Sequence, residues 1–448
     1  MKSPSVAIHW FRRDLRLHDN HGLYRSLKDH GRVLPLFIFD TTILNKLEDR
    51  HDRRVDLIHR TVLSMRTCLE HNGASMLVMH GEPVQVWREI LDRFDVHAVT
   101  VNHDHEPYAI ARDRTVADLL RSRGIELRSY KDISIFERGE VVKENGGPYT
   151  VFTPYMRKWK ERFETRMLEP FPCEELTDRY WHAPALPCPT LEELGFEHTD
   201  LAMAEAEVPD SVLRAYHWTR DLPALEGTSR MSAHLRFGTV SIRALMRQAM
   251  TMSSTYTNEL IWREFFMQVL WHHPNAETRA IKPAYDSILW RNNEEEFKDW
   301  CEGRTGYPLV DAGMRELLAT GLMHNRVRMV VASFLTKHLL IDWRWGEAWF
   351  AAKLLDFELS SNNGGWQWAS GSGCDAAPYY RIFNPHLQLQ RFDPQLKYVK
   401  RWVPEHGLAN YMQEVVVHQV ARERALKAYK LALKGDVGRT ERQPNLFS

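Results

Sequence analysis

The run Asn-Asn-Gly-Gly-Trp-Gln-Trp at residues 362–368 is the most informative stretch of this sequence. It places two amide side chains and two glycines directly before a pair of tryptophans. Glycine permits a close approach of the backbone to a ligand, amides offer donors and acceptors, and indoles offer flat apolar faces. We therefore predict a loop that could hold a planar polar ligand. Taken alone, the run would equally fit a capped turn beside buried tryptophans.

Far upstream of this run, residues 1–131 alternate between short apolar strands and amphipathic helices. The apolar runs cover residues 6–11, 33–39, 75–79, 96–101 and 126–130. Alternation of this kind predicts an α/β N-terminal domain with a doubly wound parallel sheet. No Gly-x-Gly-x-x-Gly motif follows the first strand, so an ordinary dinucleotide site is not expected there.

The pattern changes twice further along the chain. Residues 132–209 carry clustered prolines among acidic and aromatic residues, which predicts an interdomain linker with a few helical turns. Residues 210–435 show helical periodicity without strand signals, which predicts an all-α C-terminal domain. Residues 436–448 are expected to form a tail.

The composition excludes a few classes of protein. Lysine plus arginine and aspartate plus glutamate both number 59, so the formal net charge is zero. That balance does not exclude nucleic acid, because a local basic surface is enough to bind phosphates. The five cysteines form no Cys-x-x-Cys pair, and their odd number is typical of reduced thiols. With neither a signal peptide nor a membrane span expected, we predict a cytoplasmic protein. We also expect it to be a monomer.

The run at 362–368 is one of seven motifs that resemble the cryptochrome/photolyase family, and the resemblance covers essentially the whole chain. The other six motifs lie at residues 10–16, 152–155, 226–232, 258–265, 306–312 and 323–329. The resemblance implies that the all-α domain binds FAD, reduced and anionic in the active state. It also implies light-dependent repair of cyclobutane pyrimidine dimers in UV-damaged DNA, by electron transfer from photoexcited reduced FAD to a flipped-out dimer.

By this resemblance, two groups of residues hold FAD. Free N–H groups and hydroxyls at a helix start suit a pyrophosphate, and the phosphate group comprises Tyr216, Thr228, Ser229, Arg230, Met231 and Ser232. The ring group comprises Arg328, Asp356, Glu358 and Asn362. A guanidinium beside the ring would stabilise the negative charge of reduced flavin. Without the resemblance, the first group would read as a helix cap and Arg328 with Asp356 as an ordinary ion pair.

The resemblance also implies a pocket for the damaged bases. Glu259 and Trp262 lie three residues apart, so they share one face of a helix. Trp262 could stack on an extruded base, and Glu259 could bond to a pyrimidine edge. Asn325, Met329 and Trp368 match the rest of the dimer pocket, and together these five are the predicted catalytic residues. An isolated Glu-x-x-Trp would more commonly belong to an amphipathic core helix.

Two further sets of residues are implied in the same way. Three tryptophans match the family's electron-transfer chain, although core packing is the usual role of tryptophan: Trp290, Trp343 and Trp366. Three arginines match positions that contact DNA phosphates, for which a guanidinium is well suited: Arg220, Arg326 and Arg381.

The sequence His-Glu-Pro-Tyr-Ala at residues 105–109 bears on a possible antenna pigment in the α/β domain. Family members that bind folate carry Asn and Glu where this chain has Tyr108 and Ala109. The Glu-Pro-Tyr pattern resembles antenna domains that bind a deazaflavin or a flavin. The resemblance therefore favours a deazaflavin or flavin antenna and disfavours folate.

Three alternative functions remain open from the sequence. A cryptochrome, which signals without repair, is disfavoured by Asn362, where plant cryptochromes carry Asp, and by the short tail. A (6-4) photolyase is disfavoured because histidines are absent from positions 325 and 329. A plain electron-transfer flavoprotein would give no reason for a Glu–Trp lesion pocket.

Overall fold

The computed structural model describes residues 5–182, 184–202 and 204–433. One parallel sheet has the strand order β3-β2-β1-β4-β5. Its strands are β1 (Ser5–Phe11), β2 (Val33–Asp40), β3 (Leu77–Gly81), β4 (Asp95–Asn102) and β5 (Leu127–Tyr130). The chain adds β2 and β3 on one side of the central strand β1 and then crosses over to add β4 and β5 on the other side. The sheet is therefore doubly wound. The predicted fold class is confirmed.

Strands β1 and β2, which pair with each other, are buried along almost their whole length. Every residue of β2 is buried, and in β1 only Ser5 is exposed. Parallel strands that are covered on both faces need such continuous apolar runs. Trp10 of β1 meets Trp87 edge to face, with ring centroids 5.6 Å apart, in the core beneath the sheet.

Helices make up most of the remaining described residues. In chain order they are α1 (His21–Asp29), α2 (Thr41–Leu44), α3 (Arg53–His71), α4 (Pro83–Arg93), α5 (Pro107–Ser122), α6 (Phe152–Arg162), α7 (Asp210–Thr219), α8 (Ser232–Phe237), α9 (Ile242–Met252), α10 (Ser254–His272), α11 (Glu294–Cys301), α12 (Pro308–Thr320), α13 (Asn325–Ser333), α14 (Trp343–Lys353), α15 (Leu359–Ser370), α16 (Pro385–Phe392), α17 (Lys397–Trp402) and α18 (His418–Leu433). A π-helical turn, Phe334–Leu339, extends α13.

Capping residues explain where several helices begin and end. The Asn20 side chain accepts from the Leu23 N–H at the start of α1, and Asp52 caps α3 in the same way. Gly321 ends α12 in the left-handed conformation, which glycine adopts without strain. The segment predicted as a linker contains a full helix, α6, as well as short turns. The predicted tail, residues 436–448, lies outside the described residues.

Contacts along the chain form two compact units. The sheet unit comprises Met1–Glu140, Glu161–Val208 and Arg230–Met252, and the helical unit comprises Val141–Lys160, Pro209–Ser229 and Ser253–Ser448. The sequence-based boundaries did not anticipate that α8 and α9 pack with the sheet. The reason is a buried ion-pair network, because Arg243 of α9 lies 2.8 Å from both Asp19 and Asp132. Helical periodicity alone does not show which neighbour a helix packs against.

Within the described ranges, no helix combines the length and the apolar character that crossing a membrane requires.

Candidate functional site

Helix α10 carries the acid that the sequence analysis singled out. The Ser253 side chain caps the helix by accepting from the Tyr256 N–H. Glu259, five residues into α10, is half-buried, and its Oε1 lies 2.5 Å from Nη1 of Arg220. Burial raises the pKa of Glu259, although the charge and hydrogen bond of Arg220 oppose that shift. Two residues predicted for different tasks, lesion binding and phosphate binding, are thus in direct contact.

Trp262 is held rigidly on the same helix. Its indole stacks on the ring of Phe152, with centroids 3.8 Å apart and planes 8° from parallel. Phe265 meets it edge to face at 5.4 Å. The residue is only partly buried, so an aromatic platform is fixed with some of its surface exposed to solvent.

Helix α13 positions Asn325 and Met329 four residues apart, so they share one face. Asn325 is exposed and Met329 is half-buried. The preceding His324 caps the helix, because its Nδ1 accepts from the Arg326 N–H at 3.1 Å. Burial lowers the pKa of His324 to about 4, so its imidazole is neutral at neutral pH.

Arg328 and Asp356 form the predicted ion pair, with Nη2 and Oδ2 2.8 Å apart. The arginine is fixed further by a 2.8 Å hydrogen bond from Nε to the Met323 carbonyl. Glu358 lies nearby in sequence and pairs with Arg263 at 3.4 Å while it accepts from the Ser361 hydroxyl. The described contacts therefore leave the Arg328 guanidinium oriented and partly exposed.

The run at 362–368 is helical, and the prediction of a loop there is wrong. It lies inside α15, and Asn362 and Asn363 are buried. Asn362 Nδ2 donates to the Glu347 carbonyl at 3.1 Å and to Glu347 Oε1 at 2.9 Å, while Asn363 donates to the Ala276 carbonyl. The N–H groups of both asparagines donate to acceptors outside the run, and within it Asn363 Oδ1 accepts from the side chain of Gln367, one helical turn later. The amides therefore do not bond to their own backbone, and the turn that such bonds would stabilise does not form.

The two glycines of the run have different surroundings. A methyl group at Gly364 would lie 2.2 Å from Cδ1 of Phe266, whereas one at Gly365 would meet nothing within 4 Å. Gly364 therefore allows α15 to approach α10 closely. Phe266 also contacts Trp262, with ring centroids 5.5 Å apart. The packing of Gly364 against Phe266 therefore helps to position the Trp262 ring.

We expect alanine at these neighbouring positions to have opposite effects on stability. Gly364→Ala should lower the free energy of unfolding by about 1–3 kcal/mol, because overpacking forces Phe266 aside. Gly365→Ala should be neutral or raise it by about 0.5–1 kcal/mol, since alanine favours a helix over glycine. Denaturant unfolding of both variants measures the difference. Equal effects would contradict the close approach at Gly364.

The three predicted electron-transfer tryptophans occupy different depths. Trp366 and Trp343 are buried, and Trp290 is partly exposed. Trp366 packs against Gly346 of α14, where a methyl group would lie 2.1 Å from its ring, and meets Phe350 edge to face at 5.1 Å. Trp290 meets Tyr429 of α18 edge to face at 6.0 Å. Trp368, also on α15, is partly exposed.

The predicted phosphate loop crosses the division between the units, which falls between Ser229 and Arg230. Thr228 and Ser229 were expected to open a helix together with Ser232, but only Ser232 lies in one, as the first residue of the six-residue α8. In the helical unit, the Tyr256 hydroxyl donates to Ser229 Oγ at 2.9 Å. Tyr216 lies against Tyr256 edge to face, with centroids 5.0 Å apart. In the sheet unit, Arg230 has a positive φ and an exposed side chain, and Met231 is buried.

The three predicted phosphate-binding arginines differ in their contacts. Arg220 pairs with Glu259, and Arg326 pairs with Asp221 at 2.8 Å. Arg381 is exposed, and its backbone carbonyl accepts from Lys337 Nζ at 2.9 Å.

Sequence reasoning missed three residues that contact the predicted site. Glu347 binds Asn362 from α14, and burial raises its pKa to about 7. Asp221 binds Arg326, and Phe152 supports Trp262. Asp221 could have attracted notice as an acid directly after a predicted phosphate-binding arginine. Phe152 lies in one of the quoted motifs, but Glu347 has no local signal.

In the sheet unit, charged and aromatic residues collect where the carboxyl ends of β1 and β4 meet. Guanidiniums of Arg12 and Arg112 each lie 5.0 Å from the Trp10 ring. Ligands of doubly wound sheets bind at this kind of edge, where the winding changes direction. Nearby, the Tyr108 hydroxyl donates to Asp40 at 2.5 Å, while Ala109 is buried.

The residues around Arg328 fit the ring of FAD chemically. Asp356 is buried, and within the described residues its Oδ1 has no hydrogen-bond partner, while Oδ2 accepts from Arg328. An unsatisfied buried acceptor is costly. An oriented cation beside such an acceptor suits a ligand that carries both acceptors and N–H donors, as a flavin ring does.

Comparison with known proteins agrees with this chemistry. Residues 256–435 match the family described as the FAD binding domain of DNA photolyase, and residues 7–175 match the DNA photolyase family. The deoxyribodipyrimidine photo-lyase of Halobacterium salinarum is 36% identical over 490 aligned residues, which cover 96% of this chain and all of the relative.

Solved structures give the same result. A class III photolyase from Agrobacterium tumefaciens superposes with a TM-score of 0.85 at 31% identity, covering 97% of this chain and 99% of its own. A photolyase from Sulfolobus tokodaii, solved with two FAD molecules, reaches a TM-score of 0.79 at 31% identity, covering 95% and 99%. The chain belongs to the cryptochrome/photolyase family, in which it is an enzyme of the deoxyribodipyrimidine photo-lyase type.

Proposed function

We propose that this enzyme repairs cyclobutane pyrimidine dimers in UV-damaged DNA when it is illuminated, using reduced FAD bound by the helical part of the chain. The observation that carries this proposal is the pairing on α10 of Glu259, whose pKa is raised by burial, with Trp262, which Phe152 supports from one side. A flat apolar surface beside a carboxyl whose protonated form is favoured by burial suits an extruded pyrimidine pair.

Each residue of the proposed pocket then has a physical task. Trp262 stacks on the flipped bases, because base–aromatic stacking does not depend on sequence. Glu259, once protonated, donates to a pyrimidine carbonyl. Met329 offers polarisable apolar contact, while Asn325 and Trp368 complete the pocket.

A second set of residues holds the cofactor. When bound, reduced FAD supplies the photoexcited electron that splits the dimer. Arg328, oriented by Asp356 and the Met323 carbonyl, stabilises negative charge at the ring site. Asn362 donates its amide N–H to Glu347, and we assign its amide to the ring site. We assign the phosphates to Tyr216 and residues 228–232, with Glu358 supporting the ring site through Arg263.

Trp366, Trp343 and Trp290 form the proposed route by which electrons reach oxidised FAD from the protein surface. The order follows their exposure, from buried Trp366 to partly exposed Trp290. Three arginines would hold the DNA backbone: Arg220, Arg326 and Arg381. We expect the enzyme to act as a monomer in the cytoplasm.

We further propose a deazaflavin or flavin antenna in the α/β domain. The support is the edge where β1 and β4 end, with two arginines against Trp10. The Sulfolobus tokodaii photolyase holds a second FAD. At the positions where folate-binding relatives are expected to carry Asn and Glu, Tyr108 is bonded to Asp40 and Ala109 is buried.

The experiment that tests the proposal has two steps. Acid release and chromatography should find about one FAD per chain, since one ring site is proposed. The reduced protein should then restore a dimer-containing oligonucleotide under blue light and not in the dark. FMN in place of FAD, or FAD-loaded protein without light-dependent repair, would falsify the proposal.

A further inference from the structure

Two of the proposed phosphate-binding arginines are already bound to carboxylates in the helical unit. Arg220 Nη1 lies 2.5 Å from Glu259, and Arg326 Nη2 lies 2.8 Å from Oδ1 of Asp221. Glu259 has a task in the proposed pocket, but Asp221 has none. A negative charge beside residues that should attract phosphate needs a physical explanation, because it weakens that attraction.

The contact between Asp221 and Arg326 is specific in geometry. Both Nε, at 3.2 Å, and Nη2, at 2.8 Å, point to the same carboxylate oxygen. The face of the guanidinium lies 4.5 Å from the ring of Phe392, and its Nη1 lies 3.7 Å from the sulfur of Met329. The arginine is therefore held beside one of the residues proposed to line the lesion pocket.

This ion pair is also placed where it can exchange partners. The side chains of Asp221 and Arg326 retain 39% and 19% of their exposure. Ion pairs with this much solvent access contribute little stability. A DNA phosphate that is already held close to Arg326 has a high effective concentration, so it could displace the Asp221 carboxylate. A phosphate of DNA that is not held there has no such advantage over Asp221, which is always next to the guanidinium.

We propose that Asp221 is a specificity-determining residue that neutralises Arg326 until a damaged site is bound. This inference rests on the proposed function. On undamaged DNA, the Asp221–Arg326 pair stays closed and Arg326 neutralises no phosphate. A dimer that enters the pocket beside Met329 fixes the neighbouring backbone, and its phosphate then replaces Asp221 on the guanidinium. The carboxylate thereby lowers affinity for undamaged DNA more than affinity for damaged DNA.

Salt dependence of DNA binding tests this inference with the full-length, FAD-loaded protein. Asp221→Asn should raise affinity for an undamaged duplex severalfold, and the slope of log affinity against log salt should steepen by about 0.9, the value for one additional phosphate contact. Affinity for the same duplex with one cyclobutane dimer should change less, so the ratio between the two affinities should fall. Thermal unfolding and FAD content verify that the variant is folded.

Asp299→Asn is the matched control. It removes one carboxylate from another ion pair of the helical unit, since Asp299 lies 3.1 Å from Arg304, and it changes the net charge equally. The ratio should stay at its wild-type value in this variant. An equal gain in affinity for undamaged DNA from both substitutions would overturn the inference, because it would reflect net charge alone.

Arg326→Gln provides a second measurement that does not depend on the first variant. Because Arg326 makes no phosphate contact on undamaged DNA in this proposal, its loss should leave the salt slope for undamaged DNA nearly unchanged, while it should flatten the slope for dimer-containing DNA and weaken its binding. In the Arg326→Gln background, Asp221→Asn should no longer steepen the salt slope for undamaged DNA by about 0.9, and a persisting increase in that slope would contradict the inference. If wild-type protein does not prefer damaged DNA at all, the proposed function fails. If it does, but Asp221→Asn leaves the preference intact, only this inference fails.

Discussion

Replacement of Trp366 by phenylalanine is expected to abolish the light-driven reduction of oxidised FAD, while protein reduced chemically beforehand continues to repair dimers in light. Trp366 is the buried first member of the proposed electron route, and Trp343 and Trp290 depend on it. Repair itself needs an electron only from the reduced cofactor, so it should survive the substitution. Bleaching of the oxidised flavin absorbance under blue light, with an external electron donor, measures the first activity, and oligonucleotide repair measures the second.

Trp87→Phe is a closely matched control for this experiment. Both indoles are almost fully buried, and neither indole N–H has a hydrogen-bond partner among the described residues. Trp87 packs in the sheet unit beside Trp10, and it has no place in the proposed electron route. Each substitution should destabilise the fold by about 0.5–3 kcal/mol. Parallel loss of both activities in Trp366→Phe, or loss of photoreduction in Trp87→Phe, would indicate that packing rather than electron transfer is responsible.

The features that the sequence predicted well are those set by local chemistry. The alternation of apolar strands with amphipathic helices in residues 1–131 depends on residues within a few positions of each other. The shared face of Glu259 and Trp262 follows from helical geometry in the same way. The seven motifs, which occur in the same order as in the family, assigned cofactor and lesion roles to particular residues by resemblance. They could not describe the contacts of those residues.

The failed prediction at residues 362–368 shows what local chemistry omits. Paired Asn and Gly favour turns when the amides bond to their own backbone. Here Glu347, from another helix, and the Ala276 carbonyl accept those donors, and Phe266 fills the space beside Gly364. Tertiary partners thus replace the local bonds, so a helix forms where propensity favours a turn.

Charge pairing was equally invisible in the sequence. Arg220 and Arg326 were predicted to contact DNA, but nothing local showed that Glu259 and Asp221 bind them in the free protein. Arg220 lies 39 residues from Glu259, and Arg326 lies 105 residues from Asp221. Partners at such separations are chosen by how the helices pack, which periodicity does not specify.

Lesion choice is the remaining prediction with a large expected effect. We expect light-dependent repair of cyclobutane dimers and none of (6-4) products. A cyclobutane dimer splits after one electron arrives, so stacking, one hydrogen bond and apolar support are enough. A (6-4) product must also move a hydroxyl between bases, which requires a general acid, normally histidine. Positions 325 and 329 carry Asn and Met, and the adjacent His324 is kept neutral by burial, with a pKa of about 4.

Variants of the pocket make the same prediction quantitative. Glu259→Ala should weaken binding of dimer-containing DNA and slow its repair, at a cost of about 1–3 kcal/mol for a base edge left without its partner. It also leaves Arg220 without its carboxylate, so Glu259→Gln is the control that removes the charge but keeps a hydrogen-bond donor. Repair by Glu259→Gln should exceed repair by Glu259→Ala, because the amide can still donate to a pyrimidine carbonyl.

Trp262→Ala should mainly reduce binding, by about 1–3 kcal/mol per stacked base. Chromatography of defined lesion oligonucleotides before and after blue light distinguishes these outcomes, and efficient (6-4) repair by the wild-type protein would defeat the prediction.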